Sequence, residues 1–170
     1  MKSRAACYSL LFSLAAFSLA AQAAEPKADA RTLERGRYLV ATSGCNDCHT
    51  PGYGEAAGKI PPAQWLTGNP VGFQGPWGTS YPANLRLKLQ DMTEAEWLKR
   101  VRTPMLPPMP WFNLRDMKDS DLIAMYRYIR ALGPAGEPAP AAAAPGVAVT
   151  TPYFEFVPKN LPPQQAQANP

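Results

Sequence analysis

"SGCNDCHT", residues 43 to 50, places two cysteines three positions apart and follows the second with the only histidine of the 170-residue chain. Close Cys and His residues usually bind a metal, cycle as a redox disulfide or attach a larger group. A structural zinc site takes three or four tetrahedral ligands from Cys and His. Apart from Cys7 near the N-terminus, the chain offers only Cys45, Cys48 and His49, so zinc is disfavoured.

Two disulfide hypotheses also explain this pair poorly. A thioredoxin-like dithiol lies at the start of a helix that follows a strand, whereas this pair follows a predicted helix. A structural disulfide between Cys45 and Cys48 would close a very short loop and would therefore stabilise the fold little. Both hypotheses are weaker than attachment of a larger group.

Cys-x-x-Cys-His is the attachment motif of c-type haem. Two thiols on one helical turn reach the two vinyl groups at one edge of the porphyrin, and the next residue then lies beneath the iron. The motif therefore predicts one covalently bound haem c, with Cys45 and Cys48 as thioether links and His49 as an iron ligand. Because the chain has one histidine, ligation by two of its own histidines is excluded.

The sixth iron ligand is predicted to come from "RTPMLPPMPW", residues 102 to 111. Prolines fix φ and remove backbone donors, so we expect a stiff loop that carries two thioethers. Met109, with a proline on each side, is more constrained than Met105 and is the preferred ligand. Met92, Met117 or no protein ligand remain alternatives, since methionine is also a common core filler. A soft, neutral sulfur favours ferrous iron and raises the reduction potential.

Helical periodicity appears in residues 30–43, 93–102 and 119–132. No stretch alternates convincingly with a period of two, and residues 50–90 are rich in glycine and proline. A loop of that length inside a compact domain is explained if it wraps a ligand. A domain this small also buries little apolar surface by itself. The sequence therefore predicts an all-α fold whose core is completed by the haem.

Composition divides the chain into three parts. Residues 1–23 have a basic start, an apolar run and an Ala-x-Ala end, which predicts a signal peptide cleaved after Ala23. Residues 24–132 are the predicted haem domain. Residues 133–170 contain 9 prolines and few large apolar side chains, so we expect an extended or disordered tail that adds little to the core. For its apolar stretch "TPYFEFVP", residues 151–158, the sequence leaves three alternatives open: docking on the domain, docking on a partner, or remaining solvated.

Charge and residue content exclude several classes of function. The chain has a formal net charge of +4, but it contains no run of basic residues of the kind that nucleic-acid binding requires. With the one histidine on iron, acid–base catalysis by His is excluded, and the chain has no glycine-rich phosphate loop. We therefore predict an electron carrier rather than an enzyme, with no small-molecule substrate. The alternative is a small haem enzyme or gas sensor with a labile sixth ligand.

Several motifs resemble those of class I cytochromes c of bacteria, including the cytochrome subunits of exported dehydrogenases. These motifs are "ERGRYLV" at 34–40, "CNDCH" at 45–49, "GPWGTSYPANL" at 75–85, "PPMPW" at 107–111 and "DLIAMYRYIRAL" at 121–132. The resemblance covers about residues 33–132. It implies a small class I fold of about three to five helices around the haem, with long loops, and it implies that Met109 is the axial ligand.

The resemblance also implies that the first and last helices cross, with Gly36 on one allowing close approach of Tyr128 on the other. The chain departs from the family at Lys118, where a capping Ser is common. Asp116 or Asp119 is expected to cap the last helix instead, because Asp is a good N-cap residue.

The resemblance also implies a function: a periplasmic protein that carries one electron from a dehydrogenase or respiratory complex to an oxidase. Such a carrier would associate with a membrane only through a partner protein. Haem carboxylates that are buried need hydrogen-bond donors. The candidates are Trp77, Tyr81, Asn84, Arg86 and Trp111.

Overall fold

The computed structural model describes residues 28–160. The predicted signal peptide and residues 161–170 lie outside the described residues. The helices are α1 Ala30–Thr42, α2 Cys45–His49, α3 Leu85–Lys88, α4 Glu94–Val101, α5 Trp111–Asp116 and α6 Asp119–Ala131. A 3₁₀ turn spans Pro62–Gln64, and the strands are β1 Gly72–Gly75, β2 Gly78–Ser80 and β3 Tyr153–Glu155. The described chain is thus mainly helical, as predicted.

The three predicted helices are α1, α4 and α6. Helix α1 begins after Asp29, whose carboxylate accepts from the Thr32 amide at 2.9 Å. Helix α4 has the predicted capping box: the Thr93 amide donates to Glu96 at 2.8 Å, and the Glu96 amide donates to the Thr93 hydroxyl at 3.3 Å. These side chains satisfy backbone donors that a helix start leaves unpaired.

The prediction for the cap of α6 is wrong. The N-cap is Lys118, and its side chain makes no capping hydrogen bond. Asp119 is the first residue inside the helix, and its carboxylate accepts a hydrogen bond from Arg102. Asp116 forms an ion pair with Arg115 at 2.7 Å. Because Asp119 lies within the first turn, its charge still interacts favourably with the helix dipole.

Helices α1 and α6 cross at Gly36, as predicted. A Cβ added there would lie 2.1 Å from the Ala124 carbonyl oxygen and 2.6 Å from the Tyr128 Cβ. Only glycine permits so close an approach. Beside the crossing, Arg35 donates to Asp121 at 3.0 Å. This crossing fixes α1, and α2 follows it after two residues.

Residues 50–90 contain more regular structure than predicted. Strands β1 and β2 pair as an antiparallel hairpin, with Gly75 opposite Gly78 and Pro76-Trp77 as its turn. The strands have four and three residues, and glycines at Gly72, Gly75 and Gly78 interrupt any alternation of side chains. For this reason the hairpin gives no period-two signal.

The described part of the tail runs back along the domain. Strand β3 adds to β1 in parallel, with Phe73 opposite Phe154. The two rings stack with centroids 5.8 Å apart. Of the alternatives for "TPYFEFVP", docking on the domain is the one found. No residue from 133 to 160 is buried, so this segment covers the domain without entering its core.

The core lies between α1, α4, α5 and α6. Its fully buried members include Val40, Val101, Leu122 and Ile129. Within residues 28–160, no helix is long and apolar enough to cross a membrane.

Candidate functional site

Helix α2 holds the Cys-x-x-Cys-His motif on little more than one turn. Gly44 precedes it with φ of 74°, which turns the chain out of α1 in a conformation that costs glycine little. The buried Thr50 hydroxyl fastens the other end: it donates to the Asn46 side chain at 2.7 Å and accepts from the Leu66 amide at 2.8 Å. The motif is therefore fixed at both ends.

The His49 imidazole is oriented by a backbone carbonyl. Its Nδ1 lies 2.7 Å from the carbonyl oxygen of Ala83. A carbonyl only accepts, so Nδ1 carries the proton of the neutral ring and leaves the Nε2 lone pair available to a metal. Burial lowers the pKa of His49, which favours this neutral form. His49 is thus prepared to act as a metal ligand.

The two cysteines lack the environment of a redox-active dithiol. Burial raises the pKa of the Cys45 thiol to about 12 and also raises the pKa of Cys48, and the negative charge of Asp47 acts in the same direction. A reactive dithiol needs the opposite, a lowered pKa. Zinc lacks a ligand set, because residues 28–160 contain no group of three or more His, Cys, Asp or Glu that could hold a metal ion.

Cys45, Cys48 and His49 line a cavity of about 540 Å³. Cofactor sites in proteins have about 300–1,000 Å³ and are mostly apolar. The rest of the lining includes core side chains, namely Leu89, Trp97, Val101, Leu114 and Ile129. The hydrophobic core of this protein is therefore built around a cofactor-sized space.

The cavity is also lined by methionines, namely Met92, Met105, Met109, Met117 and Met125. The Met109 backbone is held by a donor and an acceptor: its amide donates to Leu106 at 3.3 Å, and its carbonyl accepts from Trp111 at 2.8 Å. The Ser80 hydroxyl donates to the Pro107 carbonyl at 2.5 Å and ties the loop to β2. The structure thus brings both predicted loop methionines to the cavity.

Of the residues predicted to donate hydrogen bonds to the haem carboxylates, some line the cavity and others do not. Tyr81 and Asn84 line the cavity, whereas Trp77, Arg86 and Trp111 do not. The Tyr81 hydroxyl lies 2.5 Å from the Thr151 hydroxyl. The Asn84 amide group donates to the carbonyls of Ala135 at 2.8 Å and Glu137 at 3.1 Å, so both of its N–H bonds are used.

The prediction that Arg86 and Trp111 contact the cofactor is not supported by their positions. Each of the three guanidinium nitrogens of Arg86 donates to a backbone carbonyl, those of Leu132, Gly133 and Ala63. Arg86 therefore binds the C-terminal end of α6, where carbonyls have no helical partner. Trp111 instead lies under the Arg115 guanidinium, 5.3 Å from its ring centroid.

Sequence reasoning missed two cations of the cavity. Lys88 and Arg100 line it, and they are its charged side chains within the described chain. Both occupy the last turn of a short helix, α3 and α4, where basic residues ordinarily interact with the helix dipole. Lys88 follows Asn84 by four residues, so the two residues share one face of α3. Because Asn84 was a predicted site residue, this spacing could have indicated Lys88.

A family model described as cytochrome c matches residues 33–133, which is more than half of the chain. The chain belongs to the cytochrome c family. It is a class I c-type cytochrome, and the family implies covalently bound haem c. The cavity fits that group: two thiols, a neutral imidazole with an available nitrogen, and thioether sulfurs line one apolar space.

The cytochrome is similar to subunits of dehydrogenases. It is 29% identical over 124 residues to a subunit of the nicotinate dehydrogenase of Pseudomonas putida, matching 66% of this chain and 10% of that protein. It is 28% identical over 132 residues to the cytochrome c subunit of alcohol dehydrogenase (quinone) of Gluconacetobacter polyoxogenes and of Komagataeibacter europaeus, matching 69% of this chain and 26% of each subunit. The chain thus spans a tenth to a quarter of the length of these relatives. No solved structure matches it.

Proposed function

We propose that this cytochrome carries one electron on a single haem c, attached through Cys45 and Cys48 and ligated by His49 and Met109. The observation that carries the proposal is that the two thiols, the oriented imidazole and the constrained thioether all line the same apolar cavity. Haem iron supplies the chemistry, since it accepts one electron and returns it without forming a product.

The chain's own residues would set the properties of the iron. His49 is held by Ala83, so its ring keeps one orientation. The stiff loop around Met109 would limit movement of the sulfur when the charge on iron changes. The apolar lining excludes water, and Lys88 and Arg100 would neutralise the haem carboxylates, with Tyr81 as a further donor.

The leader and the relatives support a proposed location and proposed partners. The pattern of residues 1–23 supports export to the periplasm with cleavage after Ala23, followed by a haem domain at 24–132 and a tail at 133–170. The similarity to subunits of dehydrogenases, two of them cytochrome c subunits, supports a dehydrogenase as electron donor. A respiratory complex as the alternative donor and an oxidase as acceptor complete the proposal. The protein itself would transform no substrate.

The test is made on the full-length protein isolated from the periplasm of an expressing bacterium. A denaturing gel should show haem stain at the mature mass, and acid–acetone should not extract the haem. Redox titration should show one reversible one-electron step, and carbon monoxide at neutral pH should leave the ferrous spectrum unchanged. Extractable haem would refute the attachment, while carbon monoxide binding would favour the haem enzyme or gas sensor.

A further inference from the structure

Residues 135–143, here called the wall segment, lie beyond the part of the chain that the family model matches. They nevertheless contribute Pro138, Ala139, Pro140, Ala141 and Ala142 to the lining of the cavity that holds Cys45, His49 and Met109. One side of the candidate haem site is therefore supplied by the tail rather than by the cytochrome domain.

The wall segment is anchored near its start by Asn84. The Asn84 amide nitrogen donates to the carbonyls of Ala135 and Glu137, and its oxygen accepts from the Leu87 amide at 3.0 Å, which caps α3. Gly136 allows the approach: its φ is +72°, and an added Cβ would lie 3.1 Å from the Thr67 Cβ. Asn84 is 2% exposed, so these bonds are shielded from water.

The far end of the wall segment is anchored to the hairpin. Ala143 and Thr79 exchange two backbone hydrogen bonds, each of 2.9 Å. Gly78 is packed against this end so tightly that a Cβ would lie 2.1 Å from the Ala143 carbonyl oxygen. Between the two anchors, prolines and alanines present short apolar side chains, and prolines have no N–H to leave unpaired. Such a segment covers an apolar cavity without filling it.

We propose that the wall segment is a built-in part of the haem pocket, held by Asn84 as a positioning residue, and that it restricts the access of water and small ligands to the haem. This inference rests on the proposed function. It predicts that loosening the wall segment speeds ligand entry and lowers the reduction potential, because added water stabilises the more charged ferric haem.

The decisive substitution is Asn84→Asp, which keeps an oxygen to cap α3 but removes both N–H donors to the wall segment. In a Met109→Ala background, carbon monoxide association after flash photolysis should become roughly tenfold faster, and hydrogen exchange of residues 135–143 should rise by a similar factor. Thr151→Val is the matched control, because it removes a tail contact outside the wall segment and should change neither rate.

Two truncations provide a second test in case Asn84→Asp folds poorly. Removal of residues 147–170 deletes β3 but keeps the wall segment, whereas removal of residues 135–170 deletes both. In the same Met109→Ala background, only the longer truncation should speed carbon monoxide binding and lower the reduction potential. Equal rates in the two truncated proteins would overturn the proposal. If the Met109→Ala protein binds no carbon monoxide, the assignment of Met109 as axial ligand fails. Hydrogen exchange then tests the wall segment separately: slow exchange of residues 135–143 that becomes faster in Asn84→Asp still supports an anchored wall segment.

Discussion

At the residue scale, the choice of axial ligand depends on how firmly each methionine is held. Met125 belongs to the buried face of α6 and is 1% exposed, so it is a core side chain with a helical backbone. Met105 and Met109 share one loop, but Met109 has its backbone hydrogen-bonded on both sides. A fixed sulfur reorganises little during electron transfer, which favours Met109.

Met109→Ala should remove the weak far-red band of sulfur-ligated ferric haem, allow carbon monoxide to bind and lower the reduction potential. The reason is that loss of a soft, neutral ligand destabilises ferrous iron relative to ferric iron. Met105→Ala is the matched control and should leave the spectrum and potential nearly unchanged. If Met105→Ala gives the high-spin spectrum instead, the ligand is Met105 and the carrier proposal survives.

Arg86→Met tests the structural role that the hydrogen bonds give this residue. Methionine keeps much of the side-chain volume but removes the donors to the carbonyls of Leu132, Gly133 and Ala63. We expect the free energy of unfolding to fall by roughly 2 kcal/mol, measured by guanidinium titration, with an unchanged reduction potential. A shift in potential with unchanged stability would restore the predicted contact between Arg86 and the haem carboxylates.

At the scale of elements, the crossing of α1 and α6 positions α2 and therefore the haem motif. Gly36→Ala should destabilise the protein by roughly 3 kcal/mol or more, because the added methyl would overlap the Ala124 carbonyl and the helices would have to separate. Gly54→Ala is the control, since nothing lies within 4 Å of its added Cβ and its φ is not positive. Thermal unfolding followed by circular dichroism measures both. Equal, small changes in the two proteins would contradict the close crossing.

The same elements show what the sequence could and could not predict. Helices α1, α4 and α6 were predictable because their apolar spacing and the Thr93–Glu96 capping box are local signals. The haem motif and the methionine loop are also local signals, so their residues were predicted for the same reason. The hairpin was missed because its strands are short and interrupted by glycines. Strand β3 was missed because its pairing with β1 joins Phe154 to Phe73, a contact that no local pattern encodes. The carbonyl partners of Arg86 could not be predicted, because they lie 23, 46 and 47 residues away in the sequence.

For the whole molecule, the cavity of about 540 Å³ makes the haem part of the core. At about 24 cal/mol per Å³ of empty cavity, an unfilled space of this size would cost about 13 kcal/mol. Water entry reduces that cost, so about 13 kcal/mol is an upper limit, which is comparable with the ~5–15 kcal/mol by which whole proteins are stable. Stability should therefore depend on the cofactor.

The Cys45→Ser, Cys48→Ser double variant, isolated without haem, should show no cooperative thermal transition and weak helical circular dichroism. Serine preserves the size of each side chain, so the difference from the haem-loaded protein reports the missing cofactor. A sharp transition in the haem-free protein would show that the helices form a stable core by themselves.

The position of the wall segment along the chain also has a consequence for assembly. Pro138 follows His49 by 89 residues, so ribosomes make the cysteine pair long before they make the segment that closes the cavity. Contacts between such distant residues form late, because a long loop must close first. Haem that joins the two thiols would therefore enter an open groove, and the tail would close over a cofactor already in place.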